Sequence, residues 1–146
     1  MNMDIDQIDQ QILFLLKADS RLTHKQIGEQ VHRSGQAVGL RIQRLMDFGI
    51  LQSYTINIHY QQQQFIRLFM QQPKFAELEE IVNQFVQVNH CYKVAGEACY
   101  LVIAHFDHAQ LALFVDKISS LARYTVETVM HEVDLNSSLG RLIQIK

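Results

Sequence analysis

The sequence has few of the residues that mark several protein classes. Among its 146 residues there are one proline, no tryptophan and two cysteines. Two cysteines do not make the disulfide framework that holds small secreted domains together. Apolar runs such as Ile12–Leu16 and Tyr100–Ala104 are five residues long, whereas a membrane-spanning helix needs about 20. The acidic start also lacks the basic and apolar parts of a secretory signal, so we expect a cytoplasmic protein without a membrane partner.

No charge of one sign dominates the chain, because 13 Lys and Arg side chains stand against 15 Asp and Glu for a formal charge of −2. This balance argues weakly against nucleic-acid binding. Residues 23–45, however, contain one acidic residue, Glu29, and four basic ones: Lys25, Arg33, Arg41 and Arg44. A local positive patch is what phosphate binding requires.

The first helix is predicted over residues 6–18. Asp6 is a possible N-cap, and the apolar residues that follow it recur at helical spacing: Ile8, Ile12, Leu15 and Leu16. This spacing predicts an amphipathic helix whose apolar face needs a partner.

A second, shorter helix is predicted after Thr23. Thr23 and Gln26 have the spacing of a capping box, and Leu22 and Ile27 fit the hydrophobic staple that often accompanies it. The helix should run to about Val31 or His32.

The third helix is predicted over Gln36–Phe48, with Ser34 as its N-cap. Its inward residues follow the i, i+4, i+7 pattern: Val38, Ile42 and Leu45. Gly49 can adopt the left-handed conformation just past the helix end. Gly39 lies inside the helix and costs about 1 kcal/mol relative to alanine. Two short helices across a tight turn, braced by a helix in front, form a tri-helical helix-turn-helix.

We predict three parts along the chain. Residues 1–50 form the helix-turn-helix domain, residues 51–64 form a linker with an extended segment, and residues 65–146 form a second domain. The linker is predicted from the change of period at Leu51–Tyr60 and from the polar run Gln61–Gln64.

The second domain follows the order βαββαβ. In sequence the predicted elements are a strand at Phe65–Met70, a helix after Pro73, a hairpin of Val88–Ala95 and Ala98–Phe106 around a two-residue Gly96–Glu97 turn of type II′, a helix capped by Asp107 with Gln110 at the capping-box position, and a strand at Tyr124–Asp134. The tail Asn136–Lys146 fits either a further strand or a loop. This order predicts a ferredoxin-like antiparallel sheet with both helices on one face, so the whole chain is predicted to be α+β.

The hairpin has two apolar faces. A two-residue turn pairs Lys93 with Tyr100 and Cys91 with Val102. We expect one face to meet the helices: Tyr92, Val94, Cys99, Leu101 and Ile103. The other face is not plainly polar: Cys91, Lys93, Ala95, Ala98, Tyr100, Val102 and Ala104. An exposed apolar patch of this kind predicts homodimerisation through the sheet.

The outward face of the third helix is the candidate DNA-binding site. In a helix-turn-helix this helix reads base edges, and flanking groups hold phosphates. Glutamine can bind adenine, small apolar groups can touch a thymine methyl group, and arginine can bind guanine or phosphate. The candidate residues are Ser34, Gln36, Ala37, Leu40, Arg41 and Arg44 on the helix, with Lys25 and Arg33 beside it.

Motifs for metal binding and catalysis are absent from the sequence. Its seven histidines do not form HExxH, no CxxC occurs, and no Cys/His group has zinc spacing. A phosphate-cradling glycine loop with lysine and the G-x-S-x-G motif are also missing. We therefore predict no metal, no cofactor and no enzymatic activity.

The motifs in both halves resemble the leucine-responsive regulator/AsnC (Lrp/AsnC) family of transcription regulators. The first half carries three of them: Asp6-x-x-Asp9-x-x-Ile12-Leu13, Asp19-Ser20-Arg21-Leu22-Thr23 with Ile27-Gly28, and Arg41-Ile42-x-Arg44-Leu45-x-x-x-Gly49-Ile50. The segment Cys91–Tyr100 is similar to the central hairpin of the family's effector domain. Cys99 stands where many members carry Asp, and Gly35 where many carry Pro.

The resemblance implies a protein that binds or bends double-stranded DNA. It implies dimerisation through the ferredoxin-like (RAM-type) domains, with tetramers or octamers as further assemblies. It also implies a small-molecule effector, often an amino acid, bound near the hairpin loop, which here comprises Ala95, Gly96, Glu97, Ala98, Cys99 and Tyr100.

The main hypothesis is thus a homo-oligomeric, sequence-specific transcription regulator. One alternative is an architectural protein that wraps DNA with little sequence preference. Another is an enzyme similar to the sirohaem decarboxylases that share this architecture, with His90, Lys93 and Tyr100 as active-site candidates.

Overall fold

The computed structural model describes residues 4–133 and residue 135. The chain forms two compact units, which divide between Asn57 and Ile58, inside the predicted linker. No helix of the described residues is long and apolar enough to cross a membrane.

The first unit is a three-helix bundle whose helices begin at local caps. Helix α1 spans Gln7–Ala18, α2 spans His24–Val31 and α3 spans Gly35–Asp47. Asp6 caps α1 in a capping box with Asp9, and the predicted box of Thr23 with Gln26 caps α2. The buried core joins all three helices: Ile12, Leu16, Ile27, Val31, Val38 and Ile42.

The turn between α2 and α3 is held by close backbone packing. His32 adopts the left-handed conformation at φ 54°, and Ser34 caps α3 as predicted by accepting a hydrogen bond from the Ala37 amide at 3.1 Å. Gly28 lies against the backbone of this turn, where an added Cβ would collide with the Arg33 carbonyl oxygen. Glycine at this position allows the two helices of the motif to meet closely.

Helix α3 starts one residue earlier than predicted and ends in a Schellman motif at Gly49, the residue predicted to be left-handed. Gly49 has φ +69°, its amide donates to the Met46 carbonyl, and the Ile50 amide donates to the Leu45 carbonyl, both at 2.9 Å. The segment after it, predicted to be extended, pairs with no strand in the described chain, and Tyr54 and Ile56 are exposed.

The second unit has the predicted ferredoxin-like order. Its elements are β1 Gln64–Met70, α4 Phe75–Asn83, β2 Val88–Lys93, β3 Tyr100–Ala104, α5 His108–Ile118 and β4 Ala122–Thr128. The sheet order is β2-β3-β1-β4, and all pairs are antiparallel. The last strand begins two residues earlier than predicted and ends at Thr128, and the predicted tail element at 136–146 lies outside the described residues.

The prediction of which hairpin face meets the helices was wrong. Tyr100, Val102 and Ala104 are buried in the helix-facing core, whereas Leu101 and Ile103 lie on the opposite face and are half-buried. Both faces of β3 are apolar, so alternation alone does not distinguish them. The predicted pairs Lys93–Tyr100 and Cys91–Val102 are confirmed.

The predicted two-residue turn was also wrong. Strand β2 ends at Lys93, and the last hydrogen bond of the hairpin runs from the Val94 amide to the Cys99 carbonyl, so four residues, Ala95–Ala98, form the loop. The Cys99 amide donates to the Leu68 carbonyl of β1. Cys99 is thus hydrogen-bonded to both neighbouring strands, and the register of the hairpin is the predicted one although its loop is longer.

Candidate DNA-recognition surface and ligand cavity

The outward face of α3 presents polar and apolar side chains to solvent. Gln36 and Arg44 are exposed, Ala37 is half-buried, and Leu40 is 68% exposed. This face exists because Val38, Ile42 and Leu45 fill the core on the opposite side of the same helix. Leu40 and Ala37 therefore place apolar groups beside Gln36 and Arg44 on the solvent-facing side of the helix.

Two cations flank the start of α3. Lys25 lies in the first turn of α2 and Arg33 in the turn before α3, and both residues are exposed. The Arg33 guanidinium donates to the His32 carbonyl oxygen at 2.8 Å. Ser34 is exposed and acts as the N-cap, so its hydroxyl oxygen accepts the hydrogen bond from the Ala37 amide. The helix start therefore combines backbone amides with two nearby positive charges, an arrangement that suits a phosphate group.

Arg41 does not belong to this outward group, and its predicted contact with DNA needs correction. Its Nη1 donates to Asp6 Oδ2 at 2.7 Å and to Asp9 Oδ1 at 2.8 Å. The Arg41 side chain is 24% exposed and that of Asp9 only 1%. The guanidinium thus compensates a buried carboxylate at the start of α1, and the positive charge counted for Arg41 is neutralised within the unit.

The ion pairs shift the protonation equilibria of these groups. Desolvation acts to raise the pKa of Asp6, but the hydrogen bonds from the Asp9 amide and the Arg41 guanidinium outweigh it, so the pKa lies below its ordinary value of 3.8. The hydrogen bonds to Asp6 and Asp9 raise the pKa of Arg41 further. This network fastens α3 to the start of α1.

Gly39 has a packing role that the sequence did not reveal. A Cβ at this position would lie 2.9 Å from Nδ1 of His24. The imidazole at the start of α2 therefore rests on the bare backbone of α3. A glycine inside a helix is a weak signal of such close contact.

The residues predicted to bind an effector are not gathered in one site. Ala95, Gly96 and Glu97 are exposed in the loop, whereas Ala98 and Cys99 are half-buried. Tyr100 is 2% exposed and belongs to the helix-facing core. The loop residues are thus exposed while the Tyr100 side chain is buried, and a common role of these residues in effector binding stays a prediction.

A cavity of about 410 Å³ lies between α4 and β2, next to Tyr100. Its walls contain polar, charged and apolar groups: Glu79, Val82, Asn83, Phe85, Val88, Asn89, His90, Cys91, Lys93 and Tyr100. The Tyr100 hydroxyl donates to Glu79 Oε1 at 2.5 Å. Burial, together with the Glu79 carboxylate, raises the pKa of Tyr100, which keeps its proton.

The three residues named for the enzyme alternative, His90, Lys93 and Tyr100, all line this cavity. Asn89 is an extra residue in β2, because Val88 pairs with Ala104 and His90 with Ile103. Sequence reasoning missed Asn89 and Glu79, because only the tertiary fold brings this bulge and α4 to the same cavity. Within residues 4–133 and 135, no group of three or more His, Cys, Asp or Glu side chains could hold a metal ion.

Comparison with known proteins places similar domains on both units. Residues 5–46 match the model of the AsnC-type helix-turn-helix domain, and residues 63–139 match that of the Lrp/AsnC ligand binding domain. The chain is 36% identical to the HTH-type transcriptional regulator LrpB of Bacillus subtilis (strain 168) over 105 residues, which cover 68% of this chain and 70% of that protein.

Solved structures agree with these matches. The structure of B. subtilis LrpC has a TM-score of 0.83 at 25% identity, covering 91% of this chain and 99% of that one. A transcriptional regulator from Neisseria meningitidis, solved as a complex with L-Met, has a TM-score of 0.78 at 28% identity, covering 93% and 96%.

Proposed function

The chain belongs to the Lrp/AsnC family of helix-turn-helix transcriptional regulators, and from this premise we propose that it binds operator DNA sequence-specifically as a homo-oligomer, with α3 as its recognition helix. The observation that carries the proposal is the exposed outer face of α3 with Gln36, Leu40 and Arg44. Helix-turn-helix proteins insert this helix into the major groove.

Each exposed side chain can contact a specific group on DNA. The Gln36 amide can form two hydrogen bonds with adenine, Leu40 or Ala37 can contact a thymine methyl group, and Arg44 can bind guanine or a phosphate. Lys25, Arg33 and the amides after Ser34 are the proposed phosphate contacts. Arg41 is left out of this set because its charge is used by Asp6 and Asp9.

The open face of the sheet supports a homo-oligomer. On the side away from the helices lie apolar side chains that are exposed or half-buried: Phe65, Phe69, Tyr92, Leu101 and Ile103. Arg67 and Arg123 share this face with them, and a sheet face with several exposed or half-buried apolar side chains is typical of an interface. A dimer built on it would present two α3 helices to half-sites about 34 Å apart, or a multiple of this distance.

The second unit is proposed to sense a small molecule. Its match to a ligand binding domain supports this role, and the similar regulator from N. meningitidis, in complex with L-Met, makes an amino acid the first candidate effector. The relatives are named as regulators, so the decarboxylase alternative gains no support from them.

The proposal is tested by selecting fragments of genomic DNA on the purified full chain and measuring their affinity at several salt concentrations. We expect one enriched motif, and we expect Arg44→Ala to lower the slope of log affinity against log salt by about one if Arg44 binds phosphate. If it binds guanine, Arg44→Ala relaxes specificity at one base pair.

Lys117→Ala is the matched control, because Lys117 is an exposed cation on α5 of the second unit. Equal affinity for unrelated fragments would instead indicate the architectural alternative. Lack of measurable DNA binding would refute the proposal.

A further inference from the structure

We infer that His24 is a further DNA contact, which Gly39 holds beside the recognition helix and which binds a phosphate group when its imidazole is protonated. This inference rests on the DNA-binding role proposed above and adds a regulatory property to it, because operator affinity should then rise as the pH falls. Histidine is the side chain that gains a positive charge between about pH 8 and pH 5. His24 is the first residue of α2 and is exposed.

The start of α2 packs closely on one side of α3. Gly35 and Gly39 lie four residues apart, so they share a side of that helix. A Cβ at Gly35 would lie 3.2 Å from the Lys25 amide nitrogen, and one at Gly39 would lie 2.9 Å from His24 Nδ1 and 3.2 Å from its Cε1. The two glycines thus allow the first two residues of α2 to approach the backbone of α3, and Gly39 sets the position of the imidazole ring.

The side of α3 that carries Gly39 borders the outward face of the helix. Gln36 stands three residues before Gly39 and Gln43 four residues after it, so both are its neighbours on the helix surface, and both are exposed. Gln36 belongs to the proposed base-reading set. The His24 ring, which rests on Gly39, therefore lies at the edge of the reading face. In helix-turn-helix proteins, groups that flank this face hold phosphates.

The imidazole of His24 has hydrogen-bonding capacity to offer to a phosphate. Among residues 4–133 and 135, its side chain forms no hydrogen bond and no ion pair. Both ring nitrogens are donors in the protonated form. Hydrogen bonds between a cationic donor and a phosphate are among the strong ones.

The charged groups of α3 do not compete for this imidazole. Asp47 lies eight positions after Gly39, about 12 Å along the helix axis, and accepts a hydrogen bond from within α3. Arg41 is paired with two carboxylates at the start of α1. Arg44 lies five positions after Gly39, which places it toward the opposite edge of the outward face.

The charges of α2 and of the loop before it also favour an anion beside His24. Lys25 is the next residue and is exposed, so a phosphate at this corner meets two positive groups. Glu29 lies five positions after His24, on another side of α2. Asp19, before the helix, is paired with Arg21 at 3.1 Å. A DNA phosphate would therefore supply the opposite charge that the unit itself does not pair with His24.

The test compares DNA binding at about pH 6 and about pH 8. A fragment selected by the unchanged full chain is titrated at several salt concentrations at both pH values. The slope of log affinity against log salt should be steeper at the lower pH, because each additional phosphate contact adds about one to the slope. His24→Gln should reduce this pH difference by about one for each bound chain. The same pH difference in both proteins would overturn the inference.

His108→Gln is the matched control. His108 is likewise the exposed first residue of a helix that begins with a capping box, but this helix is α5 of the second unit. The control variant should keep the pH difference of the unchanged chain. A loss as large as that in His24→Gln would show that the effect does not depend on the position of His24, and it would overturn the inference.

Gly39→Ala tests the position of the ring while the histidine is kept. The new Cβ would lie 2.9 Å from His24 Nδ1, so the imidazole has to move, whereas alanine itself favours a helix more than glycine does. We expect a urea midpoint of unfolding that is not lowered, together with a smaller pH difference in the salt slope. A stable variant that keeps the full pH difference would overturn the role of Gly39 in positioning His24.

A last measurement uses the unchanged chain and needs no variant. The ring signals of His24 in NMR spectra should shift when the selected fragment is added at about pH 6, whereas those of His108 should not. Unmoved His24 signals would overturn the inference. If the unchanged chain binds no DNA at either pH, the proposed function itself is refuted. If it binds DNA with a pH dependence that His24→Gln does not alter, this inference alone fails.

Discussion

Replacing Arg41 with alanine is expected to destabilise the first unit while leaving its contacts with DNA intact. The guanidinium lies 2.8 Å from Asp9 Oδ1, and the Asp9 side chain is 1% exposed. Breaking a buried ion pair by removing one partner costs about 3–5 kcal/mol, because the other charge stays buried without compensation. Since the Arg41 side chain is 24% exposed and the start of α1 itself favours a carboxylate, we expect a loss of about 2–3 kcal/mol.

Urea unfolding followed by far-ultraviolet circular dichroism measures this loss. The matched control is Arg21→Ala, which breaks an ion pair with Asp19 whose side chains are 89% and 41% exposed, and which should leave the free energy of unfolding unchanged within error. If the Arg41 and Arg21 variants have the same free energy of unfolding, the ion pairs of Arg41 do not stabilise the three-helix bundle.

DNA binding by folded Arg41→Ala gives a second check. Its salt slope should match that of the unchanged protein, whereas Arg44→Ala should show a slope smaller by about one if Arg44 contacts phosphate. An unchanged stability together with a reduced slope for Arg41→Ala would refute the assignment and return Arg41 to the DNA surface.

The same network predicts a pH dependence. The pKa of Asp6 is lowered in the folded state from 3.8, so its contribution to stability is present above this pH and is lost as pH falls through the lower folded value. Removing Arg41 removes part of this contribution. The free energy of unfolding of Arg41→Ala should therefore fall less between about pH 4 and pH 2 than that of the unchanged chain, and equal slopes in acid titrations would contradict the mechanism.

Three further predictions concern the interface, the helix turn and the linker. Ile103→Asp places a charge on the open sheet face and should shift the protein toward monomers in sedimentation velocity. Leu113→Asp, at an exposed position of α5, should not, and equal behaviour of the two variants would refute this interface. Gly28→Ala forces a collision with the backbone of the α2–α3 turn and should cost about 2 kcal/mol or more in urea unfolding, and a neutral effect would show that the turn can relax. Tyr60→Phe removes the hydrogen bond from Asn89 and should lower the free energy of unfolding of the second unit by about 0.5–1 kcal/mol. An unchanged free energy would show that the stacking of the Tyr60 ring alone stabilises the end of the linker.

The sequence by itself determined the features that depend on residues three or four positions apart. Thr23 with Gln26 and Asp107 with Gln110 form the predicted capping boxes, and Gly49 closes α3 as predicted. The order of helices and strands followed in the same way, because caps and apolar periodicity act along the chain and need no knowledge of its partners.

Only the tertiary structure decided the features that join distant residues. Arg41 meets Asp9 across 32 positions, and the cavity joins α4 to a bulged strand. The helix-facing side of β3 was undetermined because both of its faces are apolar, and burial depends on where α4 and α5 pack. The sequence shows which side chains are charged or apolar, but only the fold determines which residues they contact. For Arg41, the contact is a carboxylate of the same unit.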